Sequence, residues 1–291
     1  MFPEGVRFEH KMPQQVMIRK ALAEGYAIPA FNFSDIWELL AIVDAAKEEH
    51  AHVYVASNMK VIASMGYGFA AAMGLEAGRE TEGNIALHLD HCNSVEQCCA
   101  AVDAGYNSVM IDASVKSLDE NIEMSKRVAE YAHSRGCLVE AELGRIQGNT
   151  MEGRYDGGEF LADTQECIRL VTETGVDSLA VGIGNAHGFY KAPPRLNIER
   201  LKEIHSRVSV PLVLHGGTGI PDEQIRQCIE NGIAKVNVGT LLHSTYLDTL
   251  KKELSRDWDG YGIMDRFAAV RDAVKEKCIR WIRLCGSDQR Y

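Results

Sequence analysis

The sequence predicts an α/β fold, a closed (β/α)8 TIM barrel with an extra C-terminal helix. Three observations support this prediction: eight short apolar runs alternate with eight longer amphipathic segments, glycines end several of those segments, and the chain has 291 residues. Repeated strand–helix alternation requires parallel strands, and eight such units close into a barrel of roughly 250 residues. A doubly wound open sheet is the structural alternative.

The eight predicted strands are short and rich in β-branched or apolar residues. They cover residues 27–33, 52–56, 85–90, 108–113, 137–143, 177–183, 210–216 and 233–238. Glycines typical of helix C-caps stand near the ends of four intervening segments, at positions 105, 136, 175 and 232. Residues 262–291 add a further helix. No linker or low-complexity segment interrupts the chain, so we expect one barrel domain over residues 1–291.

Composition excludes several classes of function. The net charge of −10 argues against a nucleic-acid partner and against an anionic membrane surface. The chain contains neither an 18-residue apolar run nor a signal-peptide core near its start, which predicts a cytoplasmic protein. The eight cysteines include no CxxC pair, so zinc-finger and thioredoxin-like sites are excluded, and we expect reduced thiols.

One loop is too long for a simple connection between a strand and a helix. Residues 144–160, GRIQGNTMEGRYDGGEF, are polar and glycine-rich, and they follow the fifth predicted strand. Loops of this length inside a compact domain are usually functional lids or disordered segments. Because this loop leaves the C-terminal face of the predicted barrel, where catalysis occurs, we expect an active-site lid.

Three histidines stand at the carboxyl ends of three predicted strands: His91, His187 and His215. In a barrel those ends share one rim, so residues distant in sequence can face one centre. Catalytic zinc sites commonly use three protein ligands and keep a fourth position open. A single rim histidine is more often a packing residue, whereas three at strand ends favour a zinc site.

Two glycine-containing turns follow the seventh and eighth predicted strands, GGTG (216–219) and NVGT (237–240). Barrels often bind phosphate with these two loops. Glycines let backbone N–H groups approach phosphate oxygens, Thr218 and Thr240 offer hydroxyls, and the following helix N-termini add partial positive charge. Tight turns without a ligand are the alternative, but two such loops side by side favour a phosphate site.

Inward-facing acids surround the predicted metal position. Asp90 directly precedes a predicted ligand and could act as a general acid or base. Asp112 ends the fourth predicted strand, and Glu142 shares a face of the fifth with Glu140 because strand side chains alternate. For Glu140 and Lys235 of the eighth strand we expect an interior charge network rather than a catalytic role.

Six motifs, taken together, resemble one known family. They are LDH (89–91), SVMIDAS (108–114), VEAELG (139–144), AHGFY (186–190), LVLHGGTG (212–219) and KVNVGT (235–240). The similarity runs from IPAFNFSD near the start to CGSDQR at the end. On these residues the chain resembles the class II, zinc-dependent ketose-bisphosphate aldolases, and among them the fructose- and tagatose-bisphosphate branch.

The resemblance implies a reaction and a set of site residues. It implies reversible aldol cleavage of a ketose 1,6-bisphosphate or ketose 1-phosphate to dihydroxyacetone phosphate and an aldehyde such as glyceraldehyde 3-phosphate, by a homodimer or homotetramer. Asp90 would be the catalytic proton carrier. The implied zinc ligands are His91, His187 and His215, with Asp112 and Glu142 for a second or displaced metal. The implied binding residues for dihydroxyacetone phosphate are Ser57, Gly188, Gly216, Gly217, Thr218, Asn237, Val238, Gly239 and Thr240.

The departures from the family pattern concern the aldehyde half of the substrate. Gly239 stands where fructose-specific members usually carry an aspartate, and Leu241 stands where the family usually has an acid. The lid reads RIQGNTMEG where Gly-Gly and acids are common in the family. Whether Glu152 acts as a base in the lid is therefore left open. We therefore expect tagatose 1,6-bisphosphate or a modified ketose 1-phosphate to be cleaved at least as well as fructose 1,6-bisphosphate.

Two rival functions remain at this point. One is an aldolase that forms a Schiff base through Lys235 instead of using a metal. The other is a non-catalytic phosphate-binding barrel on a decayed enzyme scaffold. Asp90 and the three rim histidines argue against decay, since a decayed site has no reason to keep them.

Overall fold

Strands and helices alternate along the chain. The structure, a computed structural model, describes residues 14–144, 146, 148–150, 153–155, 161–190, 194–257 and 262–291. The elements of the first half are α1 (Gln14–Glu24), β1 (Ile28–Asn32), α2 (Ile36–Glu48), β2 (Val53–Asn58), α3 (Met59–Glu80), β3 (Ile85–Cys92), α4 (Val95–Ala104), β4 (Ser108–Ile111), α5 (Leu118–His133) and β5 (Leu138–Leu143). Those of the second half are β6 (Gly148–Thr150), β7 (Gly153–Tyr155), α6 (Thr164–Thr174), β8 (Ser178–Val181), α7 (Ile198–His205), β9 (Leu212–Leu214), α8 (Asp222–Glu230), β10 (Ile233–Val238), α9 (Thr240–Leu254) and α10 (Ile263–Leu284).

Eight parallel strands close into a barrel, in the order β1, β10, β9, β8, β5, β4, β3, β2. The closing pair is β1 with β10, which aligns Ala30 with Asn237. Each barrel strand is followed by a helix of the outer layer, and the extra helix α10 packs against α2 and α9. The predicted (β/α)8 barrel with an added C-terminal helix is therefore confirmed.

The N-terminal helix α1 is an element that the sequence patterns did not predict. Its residues Met17, Ile18 and Ala21 are buried in one cluster with the inward-facing Ile28 and Tyr54. This cluster fills the amino end of the barrel with apolar side chains. Polar groups inside the barrel therefore lie in its middle and at its carboxyl rim.

A buried charge network occupies the middle of the barrel. Lys235 Nζ lies 2.7 Å from Glu140 Oε2 and 3.2 Å from His88 Nε2. His88 Nδ1 in turn lies 2.7 Å from Ser108 Oγ. Lys235 and Glu140 are only 1% and 2% exposed, so each charge depends on the other for compensation. The interior network predicted for Glu140 and Lys235 is present.

Side-chain caps fix the start of most helices in the outer layer. Asp35 accepts hydrogen bonds from Trp37 N and Glu38 N at α2, and Ser117 forms a reciprocal capping box with Glu120 at α5. Of the four glycines expected at helix ends, those at 105 and 175 are left-handed C-caps. Those at 136 and 232 also have positive φ but lie just beyond the caps, in the turns that lead to the next strands.

The predicted lid is described only in part. β6 and β7 pair antiparallel and form a two-stranded sheet separate from the barrel. Residues 145, 147, 151–152 and 156–160 lie outside the described residues, and Glu152 is among them. The lid and its base therefore stay predictions.

Two further expectations concern the whole chain. All eight cysteines are free thiols, seven of them buried, as the absence of CxxC pairs predicted. Within the part of the chain that the structure describes, no helix is long and apolar enough to cross a membrane.

Candidate active site

A bulge in β3 turns two consecutive residues toward the barrel centre. Neighbouring residues of a regular strand point to opposite faces. The register between β3 and β4 shifts between Leu89 and Cys92, and His91 adopts φ +46°, in the left-handed region. That conformation costs a non-glycine residue about 1–2 kcal/mol. The strain lets the side chains of Asp90 and His91 share one site, as predicted, although the sequence analysis did not predict the bulge that makes this possible.

The other two histidines arrive from loops that are hydrogen-bonded to each other. His215 directly follows β9, whereas His187 lies in the longer loop after β8. Asn185 Nδ2 donates to the carbonyl oxygen of His215 at 3.0 Å, and the Tyr190 hydroxyl donates to that of Gly216 at 3.1 Å. The two loops therefore hold one another in register at the rim.

The three imidazoles form one cluster. The ring centroid of His91 lies 4.6 Å from those of His187 and His215, which are 6.0 Å apart. One ring nitrogen of each lies within 4.8 Å of the others. The structure thus brings together the three histidines that the sequence placed on one rim.

Carboxylates orient two of the three rings. His91 Nδ1 lies 2.8 Å from Asp112 Oδ2, and His215 Nε2 lies 2.8 Å from Glu140 Oε1. These contacts leave His91 Nε2 and His215 Nδ1 facing the centre, 2.9 Å from each other. Metal-binding histidines commonly donate their other N–H to a carboxylate in this way, which fixes the ring and its tautomer.

The donor set fits a divalent metal ion such as zinc. Three imidazole nitrogens converge, and His187 Nε2 is buried without a hydrogen-bond partner among the described residues. Such an orphaned acceptor is costly unless a ligand satisfies it. His91, Asp112 and Glu142 form a second converging group, in which the buried Glu142 Oε2 lies 3.9 Å from His91 Nδ1 and has no hydrogen-bond partner among the described residues.

Burial and neighbouring charges set the protonation of these groups in the protein without metal. Burial lowers the pKa of His91, but the charges of Asp90 and Asp112 outweigh it and raise that pKa to about 10. Burial lowers the pKa of His187 to about 3 and holds that of His215 well below its usual range. Burial and the nearby Asp112 raise the pKa of Glu142 well above its ordinary value.

Asp90 is held by an amide on each oxygen. Asn237 Nδ2 donates to Oδ1 at 3.0 Å, and Asn32 Nδ2 donates to Oδ2 at 2.8 Å. Burial opposes ionisation of Asp90, but the interactions with His91, His215 and Lys235 and the hydrogen bond from Asn32 together outweigh it, so its pKa is lowered. The sequence analysis missed Asn32. Its place at the end of β1, on the same face as Ala30, is the period-2 signal that could have found it.

The two predicted phosphate loops meet at the rim. Gly217 N–H donates to the Asn237 carbonyl at 3.0 Å, so that donor joins the loops and is not aimed at a ligand. Gly216 has φ +68°, and a Cβ there would lie 2.1 Å from the Ala186 carbonyl oxygen, so only glycine fits. Gly188 has φ +88° and borders open space. Backbone groups can therefore approach a ligand closely at these positions.

The two threonines and Val238 offer a phosphate fewer groups than the sequence predicted. Thr218 Oγ1 accepts a hydrogen bond from Leu241 N at 3.2 Å, which caps the first turn of α9. Thr240 is the first residue of α9, whose N-terminus faces the same rim. Val238 is fully buried in the core between barrel and helices, so only its backbone is available to a ligand.

Ser57 is placed differently from the expectation. It pairs in register with Leu89, whose side chain packs in the core between barrel and helices, so Ser57 faces the outer layer. Its hydroxyl lies 2.6 Å from the Tyr106 hydroxyl, and the residue is fully buried. The expectation that Ser57 joins the phosphate site is corrected: the alternation of β2 turns it away from the rim.

The fold and site define a class of protein: a barrel enzyme with a three-histidine cluster beside a buried carboxylate. Comparison with known proteins gives the family. The family model described as fructose-bisphosphate aldolase class-II matches residues 13–290. The fructose-bisphosphate aldolase of Geobacillus stearothermophilus is 40% identical over 275 residues, covering 93% of this chain and 95% of that protein.

Two further relatives are an aldolase named for a different substrate and an aldolase of known crystal structure. The 6-phospho-5-dehydro-2-deoxy-D-gluconate aldolase of Halalkalibacterium halodurans is 42% identical over 249 residues, covering 84% of this chain and 85% of that protein. The crystal structure of the YdjI aldolase from Escherichia coli K12 superposes with a TM-score of 0.85 at 33% identity, covering 95% of this chain and 98% of that one. The chain belongs to the class II fructose-bisphosphate aldolase family, and it is an aldolase, a carbon–carbon lyase.

The raised pKa of His91 predicts that metal binding is coupled to proton release. A metal needs the neutral imidazole, whereas without metal His91 stays protonated up to about pH 10. His187 and His215 are already neutral, so about one proton should leave. Affinity for zinc should therefore rise about tenfold per pH unit between about pH 7 and pH 9.

Calorimetry in buffers of different ionisation enthalpy measures the released proton, and chelator competition measures the affinity. Asp112→Asn serves as the control, because it removes one charge that stabilises the protonated ring and should flatten the pH dependence. An affinity that does not change over this range would contradict the assigned protonation of His91.

Proposed function

We propose that this protein is a zinc-dependent aldolase that reversibly cleaves a ketose 1-phosphate or ketose 1,6-bisphosphate into dihydroxyacetone phosphate and an aldehyde. The observation that carries the proposal is the buried Asp90 carboxylate beside the three-histidine cluster, with both glycine loops on the same rim. Membership of the class II family supports it. A homodimer or homotetramer in the cytoplasm stays a prediction.

His91, His187 and His215 would hold the zinc ion. When bound, zinc supplies positive charge that stabilises the negative charge developing on the former ketone oxygen. Asp112 and Glu142 could hold a second or displaced ion together with His91. Glu140 and Asp112 fix the rings of His215 and His91, so the ligand nitrogens are aimed before the metal arrives.

Asp90 would move the proton of the reaction at the C4 hydroxyl oxygen. In cleavage it takes that proton as the C3–C4 bond breaks, and in condensation it returns the proton to the aldehyde oxygen. The lowered pKa keeps the carboxylate ionised and ready to accept a proton. Asn237 and Asn32 hold both of its oxygens, which limits the carboxylate to one orientation.

The phosphate of the dihydroxyacetone half would lie against the two glycine loops. Backbone groups at Gly188, Gly216 and Gly239 would approach it, and Thr240 at the start of α9 would add the partial positive charge of the helix N-terminus. Binding through backbone groups suits a protein whose net charge is −10, because it needs no basic surface. Closure of the lid at 144–160 would exclude water from the carbanion-like intermediate.

Two candidate substrates contain the dihydroxyacetone phosphate half that this site would bind. Fructose 1,6-bisphosphate is one, on the names of several relatives. The other is 6-phospho-5-dehydro-2-deoxy-D-gluconate, which is named for a relative that is 42% identical. Both carry a phosphate next to a ketone and would release dihydroxyacetone phosphate. They differ in the aldehyde, which bears a phosphate in the first case and a carboxylate, as 3-oxopropanoate, in the second.

Metal dependence separates this proposal from a Schiff-base aldolase. Lys235 is 1% exposed and its ammonium is engaged by Glu140, which favours the metal mechanism. We expect chelation to abolish activity, zinc or cobalt to restore it, and His215→Ala to lose the metal while the barrel stays folded. Full activity in metal-free protein, or trapping of substrate on Lys235 by borohydride, would exclude the zinc-dependent mechanism.

Asp90→Ala should separate binding from bond cleavage. Loss of a general acid–base group costs about 10²–10⁴ in rate, so cleavage should fall by that factor. Zinc content and dihydroxyacetone phosphate affinity should persist, because the histidines and glycine loops are unchanged. Exchange of the C3 proton of dihydroxyacetone phosphate should partly survive, since Asp90 is assigned to the C4 oxygen. Near-normal cleavage would mean that another residue moves this proton.

The aldehyde is identified by condensation of dihydroxyacetone phosphate with a panel that includes glyceraldehyde 3-phosphate and 3-oxopropanoate. Because Gly239 and Leu241 lack the acids of fructose-type members, we expect at least one alternative to match or exceed the kcat/KM for fructose 1,6-bisphosphate formation or cleavage. Tagatose 1,6-bisphosphate belongs in the cleavage assay. A strong preference for the fructose substrate over all of these would place selectivity elsewhere, in the lid.

A further inference from the structure

We propose that His243 and Tyr246 are positioning residues for the phosphate site, because they fasten the start of α9 to the turn between β1 and α2. Their partners at that turn are Glu38 and Asp35, and the four side chains together are called the α9 clamp. All four lie outside the six motifs on which the family resemblance rests. The proposal rests on the proposed function, since it takes the N-terminus of α9 as one wall of the phosphate site.

The start of α9 is not fixed by a capping side chain. Its N-cap residue is Gly239, which makes no side-chain hydrogen bond, whereas α2 and α5 begin with side-chain caps. A capping side chain normally satisfies one of the first N–H groups of a helix and fixes its first turn. At α9 one of these groups, Leu241 N, donates to Thr218 Oγ1 at 3.2 Å. A start without a cap leaves room for a ligand, but its first turn must then be held from the side.

The first lateral contact is a pair of an imidazole and a carboxylate. His243 Nδ1 lies 2.8 Å from Glu38 Oε1, and the other oxygen of Glu38 accepts a hydrogen bond from Ser34 N at 2.7 Å. An ionised carboxylate can only accept, so Nδ1 is the donor. Glu38 is only 2% exposed, and its carboxylate therefore depends on these donors. Because His243 lies four residues after Gly239, on the same face of α9, the contact holds the side of the helix that bears its start.

The second lateral contact joins a tyrosine hydroxyl to the cap of the neighbouring helix. Tyr246 OH donates to Asp35 Oδ2 at 2.5 Å. The other oxygen of Asp35 accepts hydrogen bonds from Trp37 N and Glu38 N, as the N-cap of α2. Burial and the hydrogen bond to Asp35 raise the pKa of Tyr246, so its hydroxyl stays protonated and remains a donor. One carboxylate therefore caps α2 and holds α9.

The clamp lies at the carboxyl rim because both of its sides follow barrel strands. β1 ends at Asn32 and β10 ends at Val238, and these two strands are the closing pair of the barrel. The turn after β1 is itself anchored, since Phe33 N donates to the Ala56 carbonyl of β2 at 3.0 Å. The clamp thus ties a helix start without a cap to a fixed turn. Its loss should displace the phosphate wall and leave Asp90 in place.

Substitutions that each remove one donor test the clamp in the zinc-loaded, full-length enzyme. His243→Leu and Tyr246→Phe should each raise the dissociation constant of dihydroxyacetone phosphate about tenfold, which corresponds to about 1.4 kcal/mol and is within reach of one hydrogen bond to a charged group. Calorimetry measures this constant without an aldehyde. KM for dihydroxyacetone phosphate in condensation should rise by the same factor. The kcat and the zinc content should stay near wild type, because Asp90 and the three histidines keep their contacts.

A rescue variant and two matched controls separate positioning from a general loss of stability. His243→Asn should recover most of the affinity, since its amide can donate from near the position of Nδ1. His133→Leu removes the same kind of contact elsewhere, between His133 Nε2 and Asp177 Oδ2 at 2.8 Å. Tyr131→Phe removes a hydroxyl that donates to Asp103 between α5 and α4. Both controls should keep the affinity for dihydroxyacetone phosphate, whatever their effect on Tm.

Hydrogen exchange gives a readout that does not depend on turnover. In the protein without ligand, amides of the first turns of α9 should exchange faster in His243→Leu and Tyr246→Phe than in wild type or in either control. If His243→Leu does not fold, because the buried Glu38 loses a donor, Tyr246→Phe carries the test. Asp35 keeps both N–H donors of α2 in that variant.

The outcomes separate this inference from the proposed function. Unchanged affinity for dihydroxyacetone phosphate in the clamp variants would overturn the inference while the wild-type enzyme still cleaves its substrate. A parallel loss of zinc or of kcat would also count against it, because the contacts would then support the whole rim and not the phosphate wall. Wild-type protein that neither binds nor releases dihydroxyacetone phosphate would overturn the proposed function, and this inference with it.

Discussion

The rim of this barrel depends on one buried carboxylate, Glu140. One of its oxygens contacts His215 and the other contacts Lys235, and all three side chains are almost fully buried. A buried ion pair adds little net stability, because desolvation offsets the attraction between the charges. Its value here is orientation. Lys235 compensates the charge of Glu140, and Glu140 in turn fixes the ring of His215. The charge network in the middle of the barrel therefore positions His215, a proposed metal ligand, at the rim.

A strained backbone conformation in β3 also positions residues of the site. The bulge in β3 and the left-handed conformation of His91 place two adjacent residues in one site, where a regular strand would offer only one. Asp90 can therefore lie directly beside the histidine cluster. The same closeness raises the pKa of His91, so the protein without metal holds a proton where the metal would bind. Proton carrier and metal ligand are coupled because the backbone forces them together.

The barrel and most of the site could be predicted from the sequence because both follow from periodic patterns. Strand–helix alternation gives the closed barrel, and strand ends give the shared rim of His91, His187 and His215. Ser57 could not be placed in this way, because one step of strand alternation decides whether a residue faces the rim or the helices. For Asn32, the alternation of β1 indicates the inward face, but its partner Asp90 in β3 is 58 residues away, and local sequence does not encode that contact.

The two halves of the substrate meet different kinds of protein structure, and this difference bears on how selectivity can change. The phosphate half would meet backbone, at glycines such as Gly216 that tolerate no side chain, so that half is fixed by the fold. The aldehyde half would meet side chains near Asp90, whose two oxygens are held by Asn32 and Asn237. A substitution that reshapes this part of the site would therefore also act on the carboxylate that moves the proton, which links the choice of aldehyde to the rate of bond cleavage.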